Sequence, residues 1–299
     1  MLRLGLCCLF VREPIRFRTV TAARLQPMLS ARRLEWLSQL ALDNAAALEQ
    51  ALHYCAAHGI GDFRINSQFF PLKTHPQLGY ELVQLPDWPC LREHLGRCRE
   101  YAAMHDLRLT FHPDQFVLLN SPRTEVMSAS LRELAAQNEL AELVGADVIN
   151  LHGGGGYGDK PAALRRLENA IRDLPSALRQ RLTLENDDRI FTPSDLLPVC
   201  RSTGIPLVYD VHHHRCLSDG MTEREATVAA LTTWNREPLF HLSSPRDGWK
   251  SRNSRWHHDY IHWADFPDDW RHLPITIEVE AKAKELAVLR LAKKISRLK

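Results

Sequence analysis

The chain has 299 residues, 25% charged and 44% hydrophobic, and its 38 Lys and Arg against 36 Asp and Glu leave a formal net charge of +2. That balance argues neither for nor against a nucleic-acid partner, and it excludes only a chain that is strongly basic or acidic throughout, so any basic surface has to be local. No Pro/Gly/Ser-rich linker divides the sequence, and one domain over residues 1–299 is expected.

The opening segment Met1–Val11 looks only superficially like a secretory leader. Its apolar run is short, has no small-residue cleavage site and runs into Arg12, Glu13 and Pro14, so Leu2–Cys8 is read as a first strand. Apolar positions Leu34, Leu37, Ala41, Leu48, Leu52 and Cys55 recur at helical spacing and predict a helix over Ala31–Ala57, stopped by His58-Gly59. Asp62–Ile65 is the second strand, and the helix Pro89–His105 leads to a third, Leu107–Phe111, ending at His112. Helix Glu125–Val144 precedes strand Asp147–Leu151, which ends at His152, and helix Ala162–Leu178 precedes Leu182–Leu184, which ends at Glu185. Helix Pro193–Ser202 is followed by Pro206–Tyr209 ending at Asp210, and helix Thr222–Trp234 by Leu239–Phe240 ending at His241. Pro274–Val279 ends at Glu280, and a basic helix over Ala281–Leu298 closes the pattern. Its lysines and arginines, Lys282 and Lys284 among them, are read as a solvated face.

Strands and helices in strict alternation predict an α/β fold, the parallel (β/α)8 TIM barrel, which gathers the carboxyl ends of its strands at one face. No dinucleotide fingerprint follows the first strand. The run Gly153–Gly156 lacks the Lys-Ser/Thr of a phosphate loop and is expected to let backbone pass close to a metal centre beside His152.

Six strands that each end in His, Asp or Glu predict one polynuclear metal site. A single histidine at a strand end is more often structural, by roughly two to one, but six strand ends together reverse those odds. Ligands of His, Asp and Glu without Cys suit Mn²⁺, Zn²⁺ or Fe. In His212–His214 only His213 is expected to reach the site. A bridging carboxylate such as Glu185 would hold two ions roughly 3.5–4 Å apart, an arrangement suited to phosphodiester hydrolysis. The seven cysteines are odd in number with no C-x-x-C pair, which fits a reducing cytoplasm.

The loop Ser244–Trp256 interleaves Arg246, Lys250, Arg252 and Arg255 with Trp249 and Trp256, a mixture suited to nucleic-acid phosphates. Arg64, Lys73, Arg123 and Arg189 are expected in other rim loops, extending that track. A sugar isomerase on the same barrel, or a nucleic-acid-binding barrel with a degraded site, are the rival readings.

Several segments, in order along the chain, carry a family resemblance: Arg3-Leu4-Gly5-Leu6-Cys7-Cys8, Phe111-His112-Pro113-Asp114-Gln115-Phe116, Asn150-Leu151-His152-Gly153-Gly154, Leu184-Glu185-Asn186-Asp187, Asp210-Val211-His212-His213, His257-His258-Asp259-Tyr260 and Glu280-Ala281-Lys282-Ala283-Lys284-Glu285. The chain resembles UV damage endonucleases of the UvdE type, relatives of the endonuclease IV and xylose isomerase barrels. The resemblance implies a DNA repair enzyme that nicks damaged double-stranded DNA immediately 5′ to cyclobutane pyrimidine dimers and 6-4 photoproducts, leaving a 3′-hydroxyl and a 5′-phosphate. It implies up to three divalent ions, commonly Mn²⁺ with Zn²⁺ or Mg²⁺ as alternatives, on His112, His152, Glu185, Asp210, His213, His241, His257 and Glu280. Glu185 and Glu280 would bridge ions, and Asp259 would join the catalytic set. Gln115 and Phe116 would wedge into the duplex at the lesion. No membrane and no obligate protein partner are implied. The pattern departs at three positions: Leu239 stands where relatives carry a lysine that can be carboxylated, and Phe116 and Leu6 stand in place of tyrosines that would lie near the DNA. An abasic-site endonuclease of the endonuclease IV type is the nearest alternative.

Overall fold

The computed structural model describes residues 2–297. Met1, Leu298 and Lys299, which belong to the expected domain, first segment and last helix, lie outside the described residues. The strands are β1 (Arg3–Cys7), β2 (Asp62–Ile65), β3 (Arg108–Phe111), β4 (Val148–His152), β5 (Leu182–Glu185), β6 (Leu207–Asp210), β7 (Leu239–Leu242) and β8 (Thr276–Val279), and they close into a barrel in sequence order. Every neighbouring pair is parallel, including β8 with β1.

The helices are α1 (Ala22–Leu25), α2 (Ser30–Ala57), α3 (Trp88–Met104), α4 (Thr124–Val144), α5 (Lys160–Asp173), α6 (Ser176–Arg181), α7 (Pro193–Thr203), α8 (Val211–Cys216), α9 (Glu223–Leu231) and α10 (Lys284–Ser296). The single helix expected over Ala162–Leu178 is two, because Leu174 precedes Pro175 and takes an extended backbone (φ −68°, ψ 146°). The last helix starts at Lys284 rather than Ala281, after a turn that ends with Lys284 in the left-handed region (φ 47°). Helix α8, unforeseen, nucleates where the Asp210 side chain accepts from His213 N at 2.8 Å.

Alternation along each strand sends one set of side chains outward under the helices, where Leu6, Phe63, Phe111, Leu184, Phe240 and Ile277 are buried. Leu6 thus belongs to the core, away from the DNA-facing rim where it was expected. Deleting part of one such side chain typically costs about 2–5 kcal/mol. The inward set is polar toward the carboxyl ends, while Val148, Val208 and Leu239 form a separate apolar floor against which Trp234 packs. Leu239 fills that floor completely buried.

The register decides which ligands are neighbours. His152 lies opposite Glu185, and Asp210 opposite His241. The N- and C-terminal parts of the chain are tied together by Glu285, a buried carboxylate that accepts Val11 N at 2.9 Å and Arg12 N at 2.6 Å.

Candidate metal centre

Strand ends β3 to β8 deliver their candidate ligands to one place. Three groups of side chains offer ligand atoms within 4.8 Å of one another: His112, His152 and Glu185; Glu185, Asp210 and His213; and Asp210, His241 and Glu280. Glu185 and Asp210 are each shared by two groups. The expected second bridge was Glu280, but Arg64 Nη1 holds its Oε1 at 2.7 Å, and it belongs to one group only.

Glu185 is the hub. Its Oε2 lies 2.9 Å from His112 Nε2 and accepts from Asn150 Nδ2 at 2.6 Å, while its Oε1 lies 3.1 Å from His241 Nδ1 and 3.2 Å from His213 Nδ1. Asn186 braces Asp210 by accepting its backbone N–H at 3.0 Å and donating to its carbonyl at 2.9 Å. The Asn186 carbonyl also sits 3.0 Å from His213 Nδ1. These contacts fix the ring and carboxylate orientations from behind, as the support of a metal site requires.

The electrostatics follow from packing buried carboxylates and imidazoles together. Burial would raise the Glu185 carboxyl, yet His241, His152 and the hydrogen bonds from His112 and His213 hold it well below the usual range. Burial opposes charge on His241 and His213 too, but the carboxylates around them win: His241 is raised to about 10 and His213 well above its ordinary value. His152 goes the other way, lowered by burial against only partial support from Glu185.

Several ligand atoms have no aligned hydrogen bond although buried: His152 Nδ1, Glu185 Oε1, Asp210 Oδ2 and His241 Nδ1. Buried polar atoms are ordinarily paired. Converging lone pairs of carboxylate and imidazole, left unpaired at the centre of one cluster, fit divalent cations, with no thiolate to favour a softer ion.

Other expected residues fall at different distances from this centre. His257 is adjacent to it, its Nδ1 3.7 Å from Glu280 Oε2, but outside the three groups. Asp259 is exposed, and among the described residues its side chain makes no hydrogen bond or ion pair, so the catalytic role expected for it has no support. Its carbonyl serves a turn instead, accepting Ala283 N at 3.0 Å.

Arg64 is a correction. Expected on the rim as a DNA contact, it is 7% exposed inside the barrel, where it pairs with Glu278 and Glu280 and lies 3.0 Å from His241 Nε2. Position 64 shares the inward face of β2 with Asp62, which is why it cannot reach solvent. Lys73 is likewise occupied, paired with Glu139 at 3.0 Å and Glu81 at 3.5 Å. Arg123 and Arg189 do lie exposed in rim loops.

The glycine run also differs from expectation. A Cβ on Gly153 would meet Phe191 at 2.8 Å, and one on Gly154 (φ 87°) would overlap Asn120 Oδ1. Those glycines seat the loop against Phe191 and Asn120. Of the remaining histidines, His212 is buried against Trp249, and His214 joins Tyr209 Oη (2.8 Å) to Asp219 (2.9 Å).

The loop after β7 stands beside the cluster. Pro245 pairs with His257, the Arg246 guanidinium stacks 4.2 Å from the Trp256 ring centroid, and Arg255 Nε reaches Asp188 at 3.4 Å. Trp249 plugs the loop into the barrel top, donating to Asp265 Oδ1 at 2.8 Å with Arg215 over its ring. Lys250 and Arg252 are exposed, as are Gln115 and Phe116 across the mouth, and Phe116 is 75% exposed.

Three positions that support the cluster escaped the sequence reading: Asn150, Asn186 and Glu278. Glu278 pairs with Arg64, accepts from Thr110 and lies 2.9 Å from His241 Nε2. Asn150 and Glu278 each stand two residues before a ligand, so the same strand periodicity that marks the ligands marks them.

A parallel eight-stranded barrel with a carboxylate–imidazole cluster at the carboxyl ends of its strands is the architecture of a metal-centre barrel enzyme. Residues 2–299 match the family model for the UV-endonuclease UvdE, and the chain belongs to that family, an enzyme family of UV damage repair endonucleases. A UV DNA damage endonuclease of Deinococcus radiodurans is 38% identical over 307 residues, covering 97% of this chain and 94% of the relative. The crystal structure of SacUVDE superposes with a TM-score of 0.88 at 28% identity, over 100% of this chain and 99% of that one. Endonuclease IV from Thermus thermophilus shares the fold, with a TM-score of 0.62 at 15% identity over 99% of this chain and 100% of that one.

Proposed function

We propose that the protein nicks double-stranded DNA immediately 5′ to cyclobutane pyrimidine dimers and 6-4 photoproducts, leaving a 3′-hydroxyl and a 5′-phosphate. The observation that carries the reading is the sharing of Glu185 and Asp210 among three ligand groups, within a chain of the UvdE family. His112, His152, Glu185, Asp210, His213, His241 and Glu280 would hold up to three divalent ions, Mn²⁺ foremost, with His257 completing the set from the adjacent loop. When bound, such ions supply Lewis-acid polarisation of a phosphodiester and offset the charge that builds on its oxygens.

The side chains supply position. Asn150 and Asn186 hold the shared carboxylates, and Arg64 with Glu278 fixes His241 and Glu280 from beneath. Gln115 and the exposed Phe116 ring stand where an amide and an aromatic side chain can fill the gap left by an extruded lesion, whose weakened stacking lowers the cost of extrusion. Arg246, Lys250, Arg252 and Arg255 would track the phosphates, and Trp256 offers an aromatic face beside them. No helix among the described residues is long and apolar enough to cross a membrane. The cytoplasm is the proposed site of action.

The test is incision of end-labelled duplexes carrying one cyclobutane dimer, one 6-4 photoproduct, one abasic site or no damage, with Mn²⁺ and with chelator. Chelator-sensitive cutting directly 5′ to the photoproducts is expected. Cutting confined to the abasic duplex would move the substrate to the endonuclease IV type.

A further inference from the structure

Beside the cluster opens a cavity of about 480 Å³ that shares His257, Glu280 and Trp256 with the site above and is closed by three residues with no role in it, Cys8, Lys282 and Lys284. We propose that it docks a DNA backbone phosphate next to the one that is cut, held by Lys284 and Lys282. The inference rests on the endonuclease reading.

Neither lysine forms an ion pair among the described residues, and Lys284 is only partly exposed. Lys282 has the exposed Asp247 carboxylate in its field, whereas no carboxylate is ion-paired to Lys284 among the described residues, and a phosphate would supply the anion. Glu280 does not serve as that anion, because Arg64 holds its Oε1 at 2.7 Å and His257 stands 3.7 Å from its Oε2. Nor does the cysteine wall compete for the ammonium, since burial raises the Cys8 thiol to about 11 and keeps it neutral. The cavity therefore presents cationic donors to whatever enters from the groove. Donors without a matching free acceptor select a phosphate over the edge of a base, which carries both.

The lysines are also held in place. Cys8 (φ 64°) and Lys284 (φ 47°) both take left-handed backbone, a costly conformation for these residues, and both line this one cavity. The turn between Glu280 and α10 is pinned by Lys282 N to His258 O at 3.1 Å, Ala283 N to Asp259 O at 3.0 Å and Lys284 N to Ala281 O at 3.1 Å. Glu285, fastened to the backbone of Val11 and Arg12, anchors its far end. Trp256, 52% exposed at the rim, leaves a flat face for the sugar that follows the phosphate.

The experiment compares the dependence of log Kd on log salt for damaged and undamaged duplexes bound by the wild type, Lys282→Ala, Lys284→Gly and Lys284→Arg. Glycine suits the left-handed backbone and removes only the side chain, so loss of the charge is separated from strain. Removing either ammonium is expected to reduce the salt slope by about 0.9, and to weaken both duplexes by the same factor, roughly tenfold on the scale of one charged hydrogen bond. Lys284→Arg restores most of the slope, and KM rises more than kcat falls in the Gly variant. A Lys284→Gly protein that binds with the wild-type slope overturns the inference and leaves the endonuclease reading standing. A wild type that neither binds nor nicks any duplex overturns both.

Discussion

Arg64 Nη1 donates to Glu280 Oε1 at 2.7 Å, so a buried guanidinium is fastened to a carboxylate that the cluster also claims. The same guanidinium neutralises Glu278, which lies within the barrel almost without exposure. Arg64→Met would take the guanidinium from Glu278 and Glu280 and leave buried Glu278 with Thr110 and His241 alone; breaking a buried pair typically costs about 3–5 kcal/mol. Thermal denaturation should therefore fall sharply, while the salt dependence of DNA binding by the surviving folded protein stays at the wild-type slope. A reduced slope with unchanged stability would return Arg64 to the DNA-contacting rim.

Asn150 donates to Glu185 Oε2 at 2.6 Å and in turn accepts from Thr183 Oγ1 at 2.9 Å. Asn150→Ala removes that brace but no ligand, and metal affinity is expected to drop about 10- to 100-fold. Raising the Mn²⁺ concentration should recover much of the incision rate. Glu185→Gln takes away the shared carboxylate itself, and incision should stay lost at any metal concentration. Metal titration of both proteins, read by bound-metal content and by nicking, separates the two.

Trp249 seats the basic loop through one hydrogen bond to Asp265 and contacts with His212 and Arg215. Trp249→Ala empties that seat without removing any cation. Weaker binding of damaged and undamaged duplexes is expected, with a smaller loss of kcat at saturating DNA. Limited proteolysis should show faster cleavage between residues 245 and 256.

Asp219 carries the acid dependence of the α8 region. Burial pushes its carboxyl up, but hydrogen bonds from Ser194 N, His214 and Met221 N bring it down from 3.8 to about 2. A folded value below the unfolded one stabilises the fold fully above about pH 4 and is lost as pH falls towards about 2. Asp219→Asn should thus be less stable than wild type near neutrality, with the gap in denaturation midpoint closing below about pH 4. A gap independent of pH would assign the loss to packing.

The convergence of these side chains was legible because a short apolar run ending in His, Asp or Glu recurs along the chain, and the closed barrel turns recurrence into convergence. What surrounds them was harder to read. Arg64 looks like a rim cation in sequence, yet counting by twos from Asp62 puts it inside the barrel. Lys282 and Lys284 follow a helix-like pattern, but the turn before α10 carries them back to the rim. Asp259 lies two residues beyond His257 in sequence, yet it faces solvent while His257 stands beside Glu280. Asp210 falls in two of the candidate groups and Glu280 in one, and Glu280 is also tied to Arg64, a contact between residues 216 apart that no local pattern announces.

The clamp that Glu285 makes on Val11 and Arg12 also sets an order of events on the ribosome. A nascent chain that has not yet reached residue 276 lacks the eighth strand, Glu280 and the clamp, so its first strand keeps an open edge. Vectorial synthesis thus delivers Glu280, the closing strand and the clamp last and nearly together, so the cluster is completed only as the barrel shuts.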